Sequence, residues 1–285
     1  MSPSTRNRSS PPAPAAAPAR FSVVTTPTAE ARLAQLGWET YANWNERVGG
    51  SCGYVPWPVI VTVATEGVSS NVDLMRQNIA MQNRLGIDSR LITAAELQEL
   101  QPYSYVGDVD YVSYEPDSGY VDSVQATQSM ISRDASGRHR PRRERGHRHP
   151  DGRWSATGLL TSAGDFPADV VVCAAGPWWT RIMATARVEI PISTIRVQII
   201  IAQRPIELVE PHFIYLDTVA GIFSRPWAPG SSLIGVAAGV ARRGRSQRRH
   251  LFNDHAYPDL AIEAISQRIP AMKKTLPTVT LASTT

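Results

Sequence analysis

Apolar residues recur from Leu33 through Leu36, Tyr41 and Trp44 to Val48 at three- to five-residue spacing, the period of one helical face. Thr26 and Pro27 stand before this run as cap and first helical residue, and Gly49-Gly50 close it. The pattern then changes. Tyr54 to Ala64 is rich in Val, Ile and aromatics and reads as a strand, with Pro56 and Pro58 marking an edge or its start. A second helix is expected from about Asn71 to Leu85, ended by Gly86. Ile87 to Ile92 is short and extended, and Thr93-Ala94-Ala95-Glu96 has the spacing of a capping box that opens a brief helix stopped by Pro102. Tyr111 to Tyr114 reads as a strand, Glu115 to Gly119 as a tight turn, and Asp122 as the cap of a helix reaching about Arg133.

Two turns, Asp151-Gly152 and Gly164-Asp165, bracket Trp154 to Thr161 and lead into Ala168 to Ala174, a small meander feeding a strand. Val170-Val171-Val172-Cys173 is apolar on both faces, as a central parallel strand must be when helices cover both sides. A buried strand is therefore expected here, with Cys173 an inert thiol inside it. It ends in Ala174-Ala175-Gly176-Pro177-Trp178-Trp179. Small residues let a ligand approach the backbone, and free N–H groups at a helix start favour phosphate. Ligands bind at such carboxyl strand ends in open α/β sheets. By itself this pattern fits any doubly wound domain. From Ile190 onward, strands (Ile195 to Ala202, His212 to Leu216, Gly221 to Ser224, Ser232 to Ala237) alternate with turns, before a last helix over Pro258 to Arg268.

The chain has 285 residues and a formal charge of +4, but Arg138 to His149 and Arg242 to Arg249 carry eleven arginines against Glu144 alone. Without these two islands the body is acidic, so a nucleic-acid partner would rest on them alone, and none is expected. The first twenty residues are mostly Ser, Pro, Ala and Arg, a composition that stays disordered and lacks the apolar core of a signal peptide. No apolar run reaches the ~18 residues of a membrane span. Two cysteines, Cys52 and Cys173, imply neither a disulfide framework nor a four-ligand zinc site. A cytoplasmic protein without a metal fits best. His147 and His149 lack the accompanying ligands a metal wants.

Ser118-Gly119-Tyr120-Val121-Asp122 opening a helix, a β-meander, then Ala168 to Trp178, in that order, resemble the D-amino-acid oxidase superfamily of FAD-dependent amine oxidoreductases. The sarcosine oxidase, glycine oxidase and dimethylglycine dehydrogenase group is the branch most like it. Gly49 to Val55, Leu91 to Leu100 and Gly221 to Pro226 are similar to that group's substrate-domain segments, so the resemblance spans about Arg20 to Met272. It implies an α/β fold, with an incomplete Rossmann-like FAD-binding domain (26–48 and 120–187) interleaved with a mixed-sheet α+β substrate domain (49–119 and 188–285). It also implies hydride removal from the carbon beside the nitrogen of a small amine or amino acid, with FAD as acceptor.

By the same resemblance, Ala174, Ala175, Gly176 and Trp178 would touch FAD, and Arg20, Arg225 and Phe223 would serve catalysis. Arg196 is a second candidate for a substrate carboxylate, and Tyr215 a second pocket wall. The sequence departs from the family in four ways, one being that the resemblance leaves out the C-terminal segment that covers the flavin. It contains no G-x-G-x-x-G, and Leu233-Ile234-Gly235-Val236-Ala237 stands where sarcosine oxidases carry a lysine and then a histidine. Residues 1–25, 137–149 and 242–250 interrupt otherwise familiar structure; the first reads as a disordered tail and the others as irregular basic inserts. All three are also legible as out-of-frame translations. An inactive, truncated remnant, or one piece of a split enzyme completed by a companion polypeptide bearing the glycine loop, is the competing expectation. Cys52, between small residues, is expected to be the more exposed thiol.

Overall fold

A computed structural model describes residues 28–63, 72–133, 143–148, 154–161, 164–189, 196–208, 210–236 and 256–284. They fall into two compact units, one drawing on residues up to 131 and 198–283, the other on 132–197.

The first unit opens with helices α1 (Thr28–Ala42) and α2 (Trp44–Arg47), ended by Gly49 and Gly50 at φ 92° and 70°. Those angles suit only glycine at low cost. Thr26 and Pro27, the expected start, lie outside the described residues. Tyr41, Trp44 and Val48 pack with Cys52, Val121 and Ala126, but Leu33 and Leu36 of the same apolar face are 68% and 57% exposed. The apolar stretch beginning at Tyr54 divides at Trp57-Pro58 into β1 (Val55–Pro56) and β2 (Val59–Thr62). Pro58 cannot donate to a ladder, and its carbonyl instead accepts from Ile214 N–H. Helix α3 (Val72–Arg84) ends before Gly86, at φ 81°, and β3 (Arg90–Thr93) leads into α4 (Ala94–Leu100). Thr93 and Glu96 form the expected capping box. Then come β4 (Tyr111–Glu115), β5 (Gly119–Tyr120) paired with β1, and α5 (Ser123–Arg133). The Asp122 carboxylate accepts from Val124 and Gln125 N–H at 2.8 and 3.0 Å, capping α5 as expected.

In the second unit β6 (Arg143–Arg148), β7 (Trp154–Thr161) and β8 (Gly164–Pro167) form an antiparallel meander. Part of the basic stretch expected to be irregular is therefore a strand. Ala168 N–H still bonds Thr157 O of β7 at 3.0 Å, but Val170 to Ala175 forms no ladder with any described strand, and Val170 and Val172 are 78% and 85% exposed. This corrects the expected buried strand. Apolar residues on both faces give a strand the capacity for burial, but burial needs neighbours on both edges, and none is present among the described residues. Cys173 is accordingly half-buried, whereas Cys52, expected to be the exposed thiol, is 2% exposed. A single 3₁₀ turn, Gly176–Trp178, leads into α6 (Trp179–Met183), which lies against β6.

The chain returns to the first unit through β9 (Arg196–Gln203), β10 (Ile214–Asp217), β11 (Ile222–Pro226), β12 (Ser231–Val236), helix α7 (Tyr257–Arg268) and β13 (Leu276–Thr284). Eight strands make one mixed sheet in the order β13-β9-β12-β11-β10-β2-β4-β3. Within it β2 and β10 run parallel, joining the antiparallel run β9-β12-β11-β10 to the antiparallel run β2-β4-β3. The register aligns Ile60, Tyr215, Ser224, Ile234 and Ile200 across five strands on one face. Helix α7 packs on that face through Ala261, Ala264 and Ile265. Full burial of Ile265 stabilises by about 1.5–3 kcal/mol, and each alanine methyl by well under that. Tyr257 ties the helix down, its hydroxyl donating to Gln198 O and accepting from Val236 N–H.

Candidate functional site: an arginine held between two rings

Side chains alternate across a strand, so the sheet's other face carries Val61, Leu216, Phe223, Gly235 and Ile199 in one row, and Arg225, Leu233 and Ile201 in another. Helix α3 covers the β3 side of this face through Met75 and Ile79 against Val63 and Leu91. Towards β11 and β12, Phe223 and Leu216 remain half-buried. Phe223 lies directly on Gly235, where an added Cβ would come within 2.0 Å of its ring. The absence of a side chain at 235 is what lets the ring lie flat on the sheet.

Two positions along the strand, the Arg225 guanidinium sits between the rings of Tyr120 and Trp227, 4.4 and 4.5 Å from their centroids. Its Nη1 donates to Pro226 O at 3.0 Å. Arg225 is 8% exposed. Burial pushes its pKa down to about 10, opposed by Tyr120 and Asp122, so it stays cationic at neutral pH. Desolvated cation–π contacts of this kind are worth about 2 kcal/mol or more. The Tyr120 hydroxyl is in turn raised by burial and lowered by Arg225 and Arg204. What results is a buried, preoriented positive charge beside an apolar shelf, an arrangement that can hold a carboxylate while an uncharged carbon rests on Phe223.

Of the residues singled out in the sequence, Phe223 and Arg225 share this face. Tyr215 does not; it faces α7, fully buried, its hydroxyl 2.7 Å from Ser104 Oγ. It is a core residue rather than a pocket wall, because register puts it on the opposite side from Phe223. Arg20 lies outside the described residues, and Arg196 begins β9. Ala174, Ala175, Gly176 and Trp178 belong to the second unit. There Gly176 has φ 54°, an added Cβ on it meets nothing within 4 Å, and Trp178 is 63% exposed. Tyr120, Trp227 and Arg204 were not legible as site residues. The only local signal is Arg225-Pro226-Trp227, which puts an aromatic two residues from the arginine.

The sequence matches the FAD dependent oxidoreductase family over residues 7–284. The chain belongs to that family. Its fold is similar to L-proline dehydrogenase from P. horikoshii, with TM-score 0.74 and 19% identity over 95% of this chain and 69% of that one. Glycine oxidase from Geobacillus kaustophilus gives 0.68 and 17% over 93% and 69%. L-α-glycerophosphate oxidase from Mycoplasma pneumoniae, with FAD bound, gives 0.65 and 15% over 92% and 69%. No curated protein sequence matches. The chain is thus an FAD-dependent oxidoreductase, with FAD as its cofactor. The residues present fit parts of that group. The open, small-residue turn at Ala174 to Gly176 leaves its backbone accessible to such a group. Among the described residues, no helix is long and apolar enough to cross a membrane.

Proposed function

We propose that the protein oxidises the C–N bond of a small amine or amino acid carrying a carboxylate. The observation that carries this reading is Arg225, buried between Tyr120 and Trp227 yet cationic, on the same strand face as the half-buried Phe223. Arg225 would take the substrate carboxylate, its orientation set by the two rings and by Pro226 O. Phe223, flat on Gly235, would carry the substrate's carbon chain and exclude water from the reacting carbon. Ala174, Ala175, Gly176 and Trp178 would hold FAD, which when bound supplies the hydride acceptor. The lack of an acid or base on the strand at Leu233 to Val236 favours an amine that reaches the site already deprotonated. Amine-oxidising neighbours of the same fold, the proline dehydrogenase and the glycine oxidase, support the substrate class.

Steady-state kinetics with a soluble dye acceptor test this. Arg225→Met removes a charge-assisted contact of about 1.5–3 kcal/mol, so kcat/KM for carboxylated amines falls roughly 10- to 100-fold. The same variant leaves turnover of carboxylate-free amines within about twofold. Equal loss for both substrate types refutes the assignment.

A further inference from the structure

The strand ends beside Arg225 hold a second arginine. Arg204 follows β9, its backbone N–H bonded to Gly230 O at 2.7 Å. Its Nη1 donates to Ser231 O at 3.2 Å, the same oxygen that accepts Trp227 N–H at 3.0 Å. Trp227 stacks on Arg225, and Arg225 on Tyr120. The two guanidiniums are therefore linked through one short series of contacts. Arg204 is half-buried, and its Nε is buried without a hydrogen-bond partner among the described residues. None of the ion pairs among those residues involves it. Burial depresses its pKa, and only the phenols of Tyr103 and Tyr120 offset that. Tyr103 is itself fixed, its hydroxyl donating to Glu210 O at 3.3 Å.

A desolvated guanidinium with an unused donor and no carboxylate beside it is costly unless an anion completes it. Within the substrate reading above, on which this step rests, Arg225 accounts for one carboxylate and Arg204 remains to be matched. We propose that Arg204, with Tyr120, is a subsite for a second acidic group, and that the physiological substrate is an amine bearing two carboxylates. Arg225 takes the carboxylate next to the reacting carbon, and Arg204 takes the distal one. Monocarboxylic amines fill only the first position.

Titration calorimetry of the purified protein with aspartate and glutamate, against glycine and alanine, tests the subsite independently of flavin turnover. The unaltered protein binds the dicarboxylic amines at least about tenfold more tightly. Arg204→Met abolishes that preference while leaving monocarboxylic binding unchanged, and Arg204→Lys restores part of it. Circular dichroism melts of both variants verify that they fold. Absence of any preference in the unaltered protein, or its survival in Arg204→Met, overturns the proposal. Glycerol phosphate binding more tightly than any dicarboxylic amine overturns the carboxylate assignment in favour of phosphate. Arg225→Met separates the two claims: it weakens both ligand types if Arg225 is the anchor. If it weakens neither while Arg204→Met removes the preference, the anchor reading fails and the Arg204 subsite stands.

Discussion

Replacing Arg268 by methionine should strongly destabilise the first unit. Arg268 ends α7 with its side chain fully buried. Nε donates to Asp217 Oδ2 at 2.5 Å, Nη1 and Nη2 form a bidentate pair with Asp108 at 2.8 and 3.1 Å, and Nη1 also bonds Tyr105 O. Asp217 is equally buried, and its other oxygen accepts from Thr62 Oγ1, Val219 N–H and Ala220 N–H. Methionine keeps most of the volume but leaves Asp217 as a buried charge without a counter-ion, a loss of about 3–5 kcal/mol. Asp108 is 28% exposed, so Asp108→Asn should cost only about 1 kcal/mol. Urea unfolding followed by far-UV circular dichroism measures both. Asp217→Asn combined with Arg268→Met should lose clearly less than the sum of the single changes, with a coupling of at least about 2 kcal/mol. A loss below about 1 kcal/mol for Arg268→Met, or strict additivity in the double variant, would refute the clamp.

Three further outcomes follow from local geometry. His212 is buried, its Nδ1–H donating to Phe213 O and its Nε2 accepting from Ser232 Oγ, and burial lowers its pKa to about 4. The unfolded chain, with a pKa near 6.5, binds the extra proton first, so stability is full above about pH 6.5 and falls as pH drops towards 4, by up to about 3 kcal/mol. His212→Gln should flatten that slope in denaturant titrations across this range; an unchanged slope assigns it to other groups. Gly235→Ala forces the Phe223 ring off the sheet, costing about 1–3 kcal/mol and raising KM for the amine. A variant as stable and active as the parent would show that the ring moves freely. Thr93→Ala removes the acceptor for Glu96 N–H at 3.2 Å and should lower stability by about 1 kcal/mol, measurable as a shift in the urea midpoint.

Local signals in the sequence were reliable wherever the cause is local. Thr93 and Glu96 specify a capping box within four residues, Gly86 ends α3 because its φ excludes a Cβ at low cost, and Asp122 caps α5. What failed depends on partners distant in sequence. Val170 to Cys173 has the composition of a buried strand, but no described strand lies beside it. Tyr215 and Phe223 are equally plausible pocket walls in sequence; the pairing of β10 with β11 decides that they face opposite sides. Arg225 was legible as a carboxylate candidate, but the rings that fix it come from β5 and from beyond β11, and β5 joins the site only through tertiary contact. Arg268 stood in the sequence only as the end of the last helix. Its burial follows from Asp217 and Asp108, which nothing near it in sequence announces.

Hydride removal from carbon next to nitrogen can be followed by anaerobic mixing of the FAD-reconstituted protein with matched substrate pairs. Each pair consists of an amino acid and the 2-hydroxy acid of the same carbon skeleton. The amino acids should bleach the visible flavin band, the hydroxy acids should leave it intact, and Arg225→Met should slow the bleaching. Bleaching by the hydroxy acids, with the amino acids inert, would contradict that chemistry.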